Sequence, residues 1–355
     1  MIDVTNDVTN DVTKDVKGIS IGDGRTDLAY RLRSKLARRT EGRAVILLLV
    51  VAIGAWIREP IVFTSYQVTL GRIALIGLVA LGLTVVILMG ELDLSVASTL
   101  AVGGVVLASV DNLALGVLAA LVVGLVIGAV NAFFVVTVGI NSFIATLGML
   151  FFLRGAAFVI SDEEPVRLNN VDAGISFGKP LIGEFTPRVL IFIATFIAIQ
   201  IFVSRVRAGR EFYAVGGNRE AARDAGIPVK RRVFMGFMIS GVVAAGAGVI
   251  NTLERTAADP TAGSTVLLSS FAAAIIGGVL LTGGRGSVVG TLIGATSLGI
   301  LQVALTLSAV QVDVQNIIIG FVLFIAVITD PNSIRAVVGS ARAFFRSRSA
   351  PSPAG

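Results

Sequence analysis

Long apolar runs separated by short polar stretches recur along most of the chain. Ten of them read as membrane-spanning helices: residues 44–57, 67–89, 93–110, 113–138, 141–160, 188–204, 233–253, 265–281, 288–308 and 316–329. A helix that crosses a bilayer needs about 20 mostly apolar residues. Several of these runs fall short of that and are rich in glycine, which predicts one or two broken helices. The expected fold class is therefore all-α, a polytopic membrane protein with about ten transmembrane helices.

The polar stretches between the runs predict which way the chain faces. Residues 1–26 open with a near four-residue repeat, DVTNDVTNDVTKDV from Asp3 to Val16, too polar to bury a core and expected to be disordered. They lack the basic start and apolar centre of a signal peptide, so the first span is expected to act as an uncleaved anchor. From Arg31 to Arg43 there are six basic residues and one acid. Such an excess of positive charge holds a flank in the cytoplasm. Counting ten spans from an inside start places residues 205–232, the 283–287 turn and the Arg335, Arg342, Arg346 and Arg348 tail inside as well. All the strongly basic stretches then agree. Residues 161–187 and 254–264 fall outside; the first carries Asp162, Glu163, Glu164, Asp172 and Glu184, either as a solvated loop or as a docking surface for an external partner. The predicted organisation is a cytoplasmic tail over 1–43, a transmembrane domain over 44–330, and a cytoplasmic tail over 331–355, with both termini at the inner face of a plasma membrane and lipid around the spans.

Composition narrows the chemistry. Of 355 residues, 55% are hydrophobic, only 15% are charged and 40 are glycine. Glycine pairs such as Gly124 with Gly128, and the small-residue run 240–248, let helices approach closely. With neither cysteine nor histidine, disulfides, thiolate nucleophiles, imidazole bases and Cys/His metal sites are excluded. Of the five lysines only Lys179 follows a glycine, and Pro180 comes next where a phosphate-binding loop requires Ser or Thr. ATP, if it drives this protein, is therefore hydrolysed by another chain; no catalytic residue, metal or cofactor is expected here. The net charge of +6 is absorbed by the flanks of spans, and no basic stripe suggests nucleic acid.

Three polar segments are candidates for function. Residues 205–232 hold eight Lys or Arg against three acids. Inside them Asn218 can cap a short helix, Glu220 lies in its first turn, and Gly226 then Pro228 stop it. The second, GELDLSVAS over 90–98, places Glu91, Asp93, Ser95 and Ser98 between two spans, either in a turn or in a broken helix dipping toward a pathway; the residues alone slightly favour the turn. The third is DPTAG over 259–263, followed by the glycine-rich 283–286 turn. Arg72 and Arg154 lie within six residues of span ends and are expected to snorkel to an interface.

Gly216 to Ile227, GGNREAARDAGI, resembles the coupling loop of bacterial ABC transporter permeases in the ribose and monosaccharide branch. Asp93, Leu94, Ser95, Val96 and Ser98 match that branch's GIDLSVGS signature, with Glu91 and Ala97 departing from it where glycine is usual. Residues 259–263 resemble its PTAG segment, and NSFIATLGMLFFLR over 141–154 a further span. The resemblance runs from about residue 44 to 330. It implies a type II importer architecture like that of the vitamin B12 permease, working as a homodimer with an ATP-binding subunit inside and a substrate-binding protein outside, and importing a monosaccharide or related polyol. Contact with the ATPase would fall on Gly217, Asn218, Glu220, Ala221, Ala222, Arg223, Gly226 and Ile227, the 218–226 helix carrying the coupling. The pathway would involve Asp93, Ser95, Ser98, Asn141, Phe143 and Thr146. Two other classes stay open on the residues alone: an ion-coupled secondary transporter of a small polar solute built on Asp93, and an intramembrane enzyme using Glu91 with Asp93.

Overall fold

The computed structural model describes residues 40–328. The N-terminal repeat, nearly all of the basic 31–43 segment and the 331–355 tail lie outside that range. Fourteen α-helices follow in the described residues: α1 Thr40–Arg58, α2 Ile61–Thr64, α3 Tyr66–Ile87, α4 Val96–Ala108, α5 Leu113–Phe133, α6 Ser142–Ile160, α7 Val171–Phe177, α8 Pro187–Arg205, α9 Arg207–Gly217, α10 Arg219–Asp224, α11 Val229–Arg255, α12 Ser264–Ile276, α13 Val288–Leu307 and α14 Val312–Ile328. A π-helical turn, Phe134–Val138, extends α5. Two dipeptide strands, β1 Val166–Arg167 and β2 Ala257–Ala258, pair antiparallel. Six helices, α3, α5 with its extension, α6, α8, α11 and α13, are long and apolar enough to cross a membrane, and the four other expected runs hold the shorter apolar helices α1, α4, α12 and α14. The protein is thus an all-α, multi-pass membrane protein.

α3 and α11 form the axis of the bundle. α3 is apolar around its whole circumference and is buried along nearly its whole length. A helix of that kind has no face to show to a solvent and belongs in the centre. α5, α6 and α8 bury only one side and present Leu115, Leu118, Phe151, Phe152 and Ile197 outward, as a face against lipid does. α5 and α11 cross where Gly124 and Gly128 meet Gly241 and the Phe237 carbonyl, so close that a Cβ at any of the three glycines would strike the facing backbone. With no water to drive association in lipid, this contact between backbones supplies the packing.

α4 and α12 each have 13 residues, about 20 Å of helix against an apolar thickness of about 30 Å. Non-helical chain makes up the difference, residues 88–95 before α4 and 256–263 before α12. Gly263 lies against the Ala97 carbonyl with no room for a Cβ. The N-terminal ends of two broken helices therefore meet inside the bundle.

Candidate functional site

Non-helical backbone buried in a membrane protein must find partners for its N–H groups within the protein. Leu92, Leu94 and Ser95 find them in side chains, while Glu91 N donates to the Val86 carbonyl at 3.3 Å. Leu92 N donates to Ser142 Oγ at 3.1 Å and Leu94 N to Thr146 Oγ1 at 3.1 Å, both acceptors on α6. Asp93 Oδ1 accepts from Ser95 N at 3.1 Å and from the Ser95 hydroxyl at 2.6 Å. Its Oδ2 accepts from the Ser240 hydroxyl of α11 at 2.8 Å. Asn131 of α5 donates to Ser95 Oγ at 2.7 Å, and Ser98 on α4 donates to the Leu150 carbonyl of α6 at 2.7 Å. Asp93 is 1% exposed, and among the described residues no cation contacts it. Ser240 lies 11 residues into α11, about 16 Å from that helix's start, so the carboxylate sits deep in the bundle rather than in a surface turn.

Of the residues expected along a pathway, the structure gathers Asp93, Ser95, Ser98 and Thr146 into one buried network that fixes the start of α4. Asn141 and Phe143 stand apart from it. Asn141 caps α6, its Oδ1 accepting from Phe143 N at 3.0 Å, and the Phe143 ring is exposed.

The basic 205–232 stretch holds two helices where the sequence signals one. α9 is amphipathic, burying Phe212 and Val215 while Arg207 and Arg210 face outward. Phe212 meets Phe202 of α8 edge-on at 5.4 Å between ring centres. α10 follows directly: Asn218 Oδ1 accepts from Ala221 N at 3.0 Å as an N-cap, and Gly226 ends the segment at φ 78°. Ala222 is buried and Ile227 half-buried against the core, which anchors the helix. Gly217, Asn218, Glu220, Ala221, Arg223 and Gly226 are exposed.

Two links tie this pair of helices to the broken spans. Gly216 and Gly217 at the end of α9 lie on Gly284, Gly283 lies on Gly90, and Gly284 N donates to the Leu88 carbonyl at 2.9 Å. Gly90, Gly283 and Gly284 have φ of 76°, 80° and 72°. A side chain at any of the three would strain the backbone, and one at Gly283 or Gly284 would also collide with the facing chain. The second link is an ion pair between Arg219, the first residue of α10, and Glu91, which is buried beside the Asp93 network. Glu91 and Arg219 were not readable as partners, since 128 residues separate them.

Glu211 of α9 bridges Arg207 at 2.8 Å and Arg232 at the start of α11 at 2.5 Å. The Arg232 hydrogen bond, seconded by Arg207 and opposed by burial, holds its carboxyl below the ordinary value of 4.5. A lowered carboxylate stabilises the fold fully above its ordinary value and loses that contribution as pH falls through the lowered one. Glu211→Gln is therefore expected to lower the melting temperature of the purified protein by about 2–4 °C at pH 7. The difference from wild type should shrink as pH falls below 4.5 and vanish once the lowered value is passed in a thermal melt series; a gap independent of pH would show that the charge is not what matters.

The family described as the branched-chain amino acid transport system permease component matches residues 66–327. A probable ABC transporter permease protein of Sinorhizobium fredii is 34% identical over 86% of this chain and 94% of its own. The ribose import permease protein RbsC of Escherichia coli is 37% identical over 82% of this chain and 93% of its own. The D-allose transport system permease protein AlsC of the same species is 33% identical over 81% and 90%. No solved structure matches the chain. With the family match spanning the bundle from α3 to α14, and relatives covered almost end to end, the chain belongs to the permease family of ABC transporters.

Proposed function

We propose that this chain is the transmembrane subunit of an ATP-driven importer of a monosaccharide or related polyol, and that α10 is where a separate ATPase subunit takes hold. The observation that carries the reading is the build of α10: a capped helix with Glu220, Ala221 and Arg223 free on its outer face, anchored by Ala222 and Ile227, and joined through glycines and the Arg219–Glu91 pair to both broken spans. A push on such a helix reaches α4 and α12 through contacts between backbones, which transmit displacement without first absorbing it in rotamer changes. Sugar is favoured over the amino acid of the family's description because the relatives named for ribose, allose and L-arabinose are each covered over at least 85% of their length. In this reading residues 44–330 form one permease domain, α10 and both termini face the cytoplasm, a substrate-binding protein docks at the opposite end, and two copies of the chain enclose the pathway. The buried state of Asp93, with three donors and no aqueous access, weighs against the ion-coupled alternative.

The test is ATPase activity of the complex in nanodiscs, with the cassette subunit and ribose-loaded binding protein added. Glu220→Ala with Arg223→Ala is expected to reduce stimulation about tenfold or more, because two exposed polar anchors of an interface are removed together. Uptake that follows a proton gradient without any ATPase would overturn the reading, and transport of leucine in place of ribose would overturn its sugar half.

A further inference from the structure

A polar cavity of about 210 Å³ opens between α3, the end of α11 and the 259–266 stretch. Its walls carry Arg72 of α3, Asn251 and Arg255 of α11, Asp259 of the segment before α12, and Ser264 and Thr265 from the first turn of α12. Arg72 lines this cavity. The internal hydrogen bonds of this group are few. Arg255 Nε donates to Asn251 Oδ1 at 3.3 Å, the Ser264 hydroxyl donates to the Thr261 carbonyl at 2.9 Å, and Asp259 Oδ1 accepts from Thr261 N and Oγ1, each at 2.7 Å. Glu254, the nearest acid on α11, is taken by Arg188. Among the described residues the Arg72 guanidinium, Asp259 Oδ2 and the Thr265 hydroxyl make no hydrogen bond to protein, Glu254 reaching Arg72 through its charge alone, and all three residues belong to the walls of this one cavity.

Donors and acceptors that face one open space are met by water, or by a ligand that carries both kinds of partner and displaces it. At about 30 Å³ per water the cavity holds on the order of seven waters, a volume suited to a single sugar ring and below the roughly 300 Å³ at which drug-sized sites begin. Two guanidinium groups against one carboxylate would take an anion, but a carboxylate in the same wall repels it. Neutral hydroxyls satisfy both kinds of group, accepting from Arg72 and Asn251 and donating to Asp259. An amino acid zwitterion would also meet both signs, its carboxylate with the guanidiniums and its ammonium with Asp259, so it is the competitor that the test below has to separate from a sugar. The position is equally telling: the cavity lies over the first turn of α12, next to the Gly263–Ala97 contact at which the two broken helices meet. We propose that this cavity is a waypoint that holds one neutral monosaccharide on its way past that contact. The proposal rests on the importer reading above and adds a place and a ligand class to it.

The absence of cysteine makes the test direct, because Thr265→Cys introduces the only thiol of the permease. The full complex, with cassette and binding protein, is treated with a membrane-impermeant thiol reagent from the binding-protein side, with and without excess D-ribose. Ribose is expected to slow labelling about fivefold or more, as occupancy of a site well above its dissociation constant does, and equimolar sucrose, too large for the cavity, is expected to leave the rate unchanged. A thiol that never labels, labels equally with and without ribose, or is protected by L-leucine instead would overturn the proposal. As a second arm, Asp259→Asn keeps the acceptor for Thr261 but removes the carboxylate, and is expected to lower ribose uptake about tenfold, the loss of one charge-assisted hydrogen bond. Unchanged uptake would also overturn it. Failure of the importer reading looks different: the wild-type complex would then neither take up ribose nor hydrolyse ATP in response to it.

Discussion

Asp93→Leu is expected to leave almost no folded permease in the membrane, whereas Asp93→Asn is expected to fold and to keep most of its uptake. Leucine strips the acceptor from Ser95 N, the Ser95 hydroxyl and the Ser240 hydroxyl at once. Each donor left unpaired in a buried site costs about 1–3 kcal/mol, so the sum reaches the whole stability of an ordinary domain. The Asn131 amide would lose order with Ser95, and its Oδ1 is already buried without a partner. Asparagine keeps one oxygen for Ser95 and turns its amide toward Ser240, whose hydroxyl can accept, so the loss falls to about 1 kcal/mol. The measurement is a pair: the yield of monodisperse protein by fluorescence-detected gel filtration, and ribose uptake per folded molecule. An ion-coupled transporter would give the opposite pairing, with Asp93→Asn folded and inert, because a carboxylate that carries a proton or cation cannot be replaced by an amide. That outcome would remove the ATP-driven reading along with the structural role of Asp93.

Asp93 also marks the boundary of what the sequence could say. Each of the ten apolar runs contains a helix, and the limits of α5 with its extension and of α6 agree with the expected 113–138 and 141–160 to within a residue. Lipid imposes this legibility, since only a long apolar run can span it. The cap at Asn218 and the stop at Gly226 were readable for a local reason, because each acts on its own backbone. What could not be read depends on partners distant in the chain. The residues of 90–98 favour a turn, and only Ser142, Thr146 and Ser240, 50 to 147 positions away, make the buried alternative possible. α9 escaped notice because its three charged side chains, Arg207, Arg210 and Glu211, make residues 207–217 look like a solvated connector, while Phe212 and Val215 find their cover on other helices. That Arg72 lines a cavity was likewise hidden, since most of the other walls come from residues 251–266.

Charge reversal at the Arg219–Glu91 pair is expected to separate motion of α10 from motion of the pathway. Glu91 is 93% buried at its side chain and Arg219 about half exposed. Removing one partner of a fully buried pair costs about 2–5 kcal/mol, and partial exposure of Arg219 reduces this to about 1–2 kcal/mol, a loss of roughly five- to thirtyfold. Placing Arg at position 91 goes further, because two cations then face each other at the glycine junction. Glu91→Arg alone is expected to retain cassette binding, since no ATPase-facing group of α10 changes, but to lower ribose imported per ATP hydrolysed by about tenfold. Glu91→Arg combined with Arg219→Glu restores the attraction with the charges exchanged and is expected to recover at least a third of the wild-type ratio. The glycine contacts are untouched in both variants, so the comparison isolates the ion pair from the backbone junction beside it. Recovery in the double variant would mean that the pair carries displacement from α10 into residues 88–95. If both variants import as wild type does, the glycine junction transmits the whole displacement, and Gly216, whose Cβ would strike both the Leu88 carbonyl and Gly284 N, becomes the point at which the two broken spans are driven together.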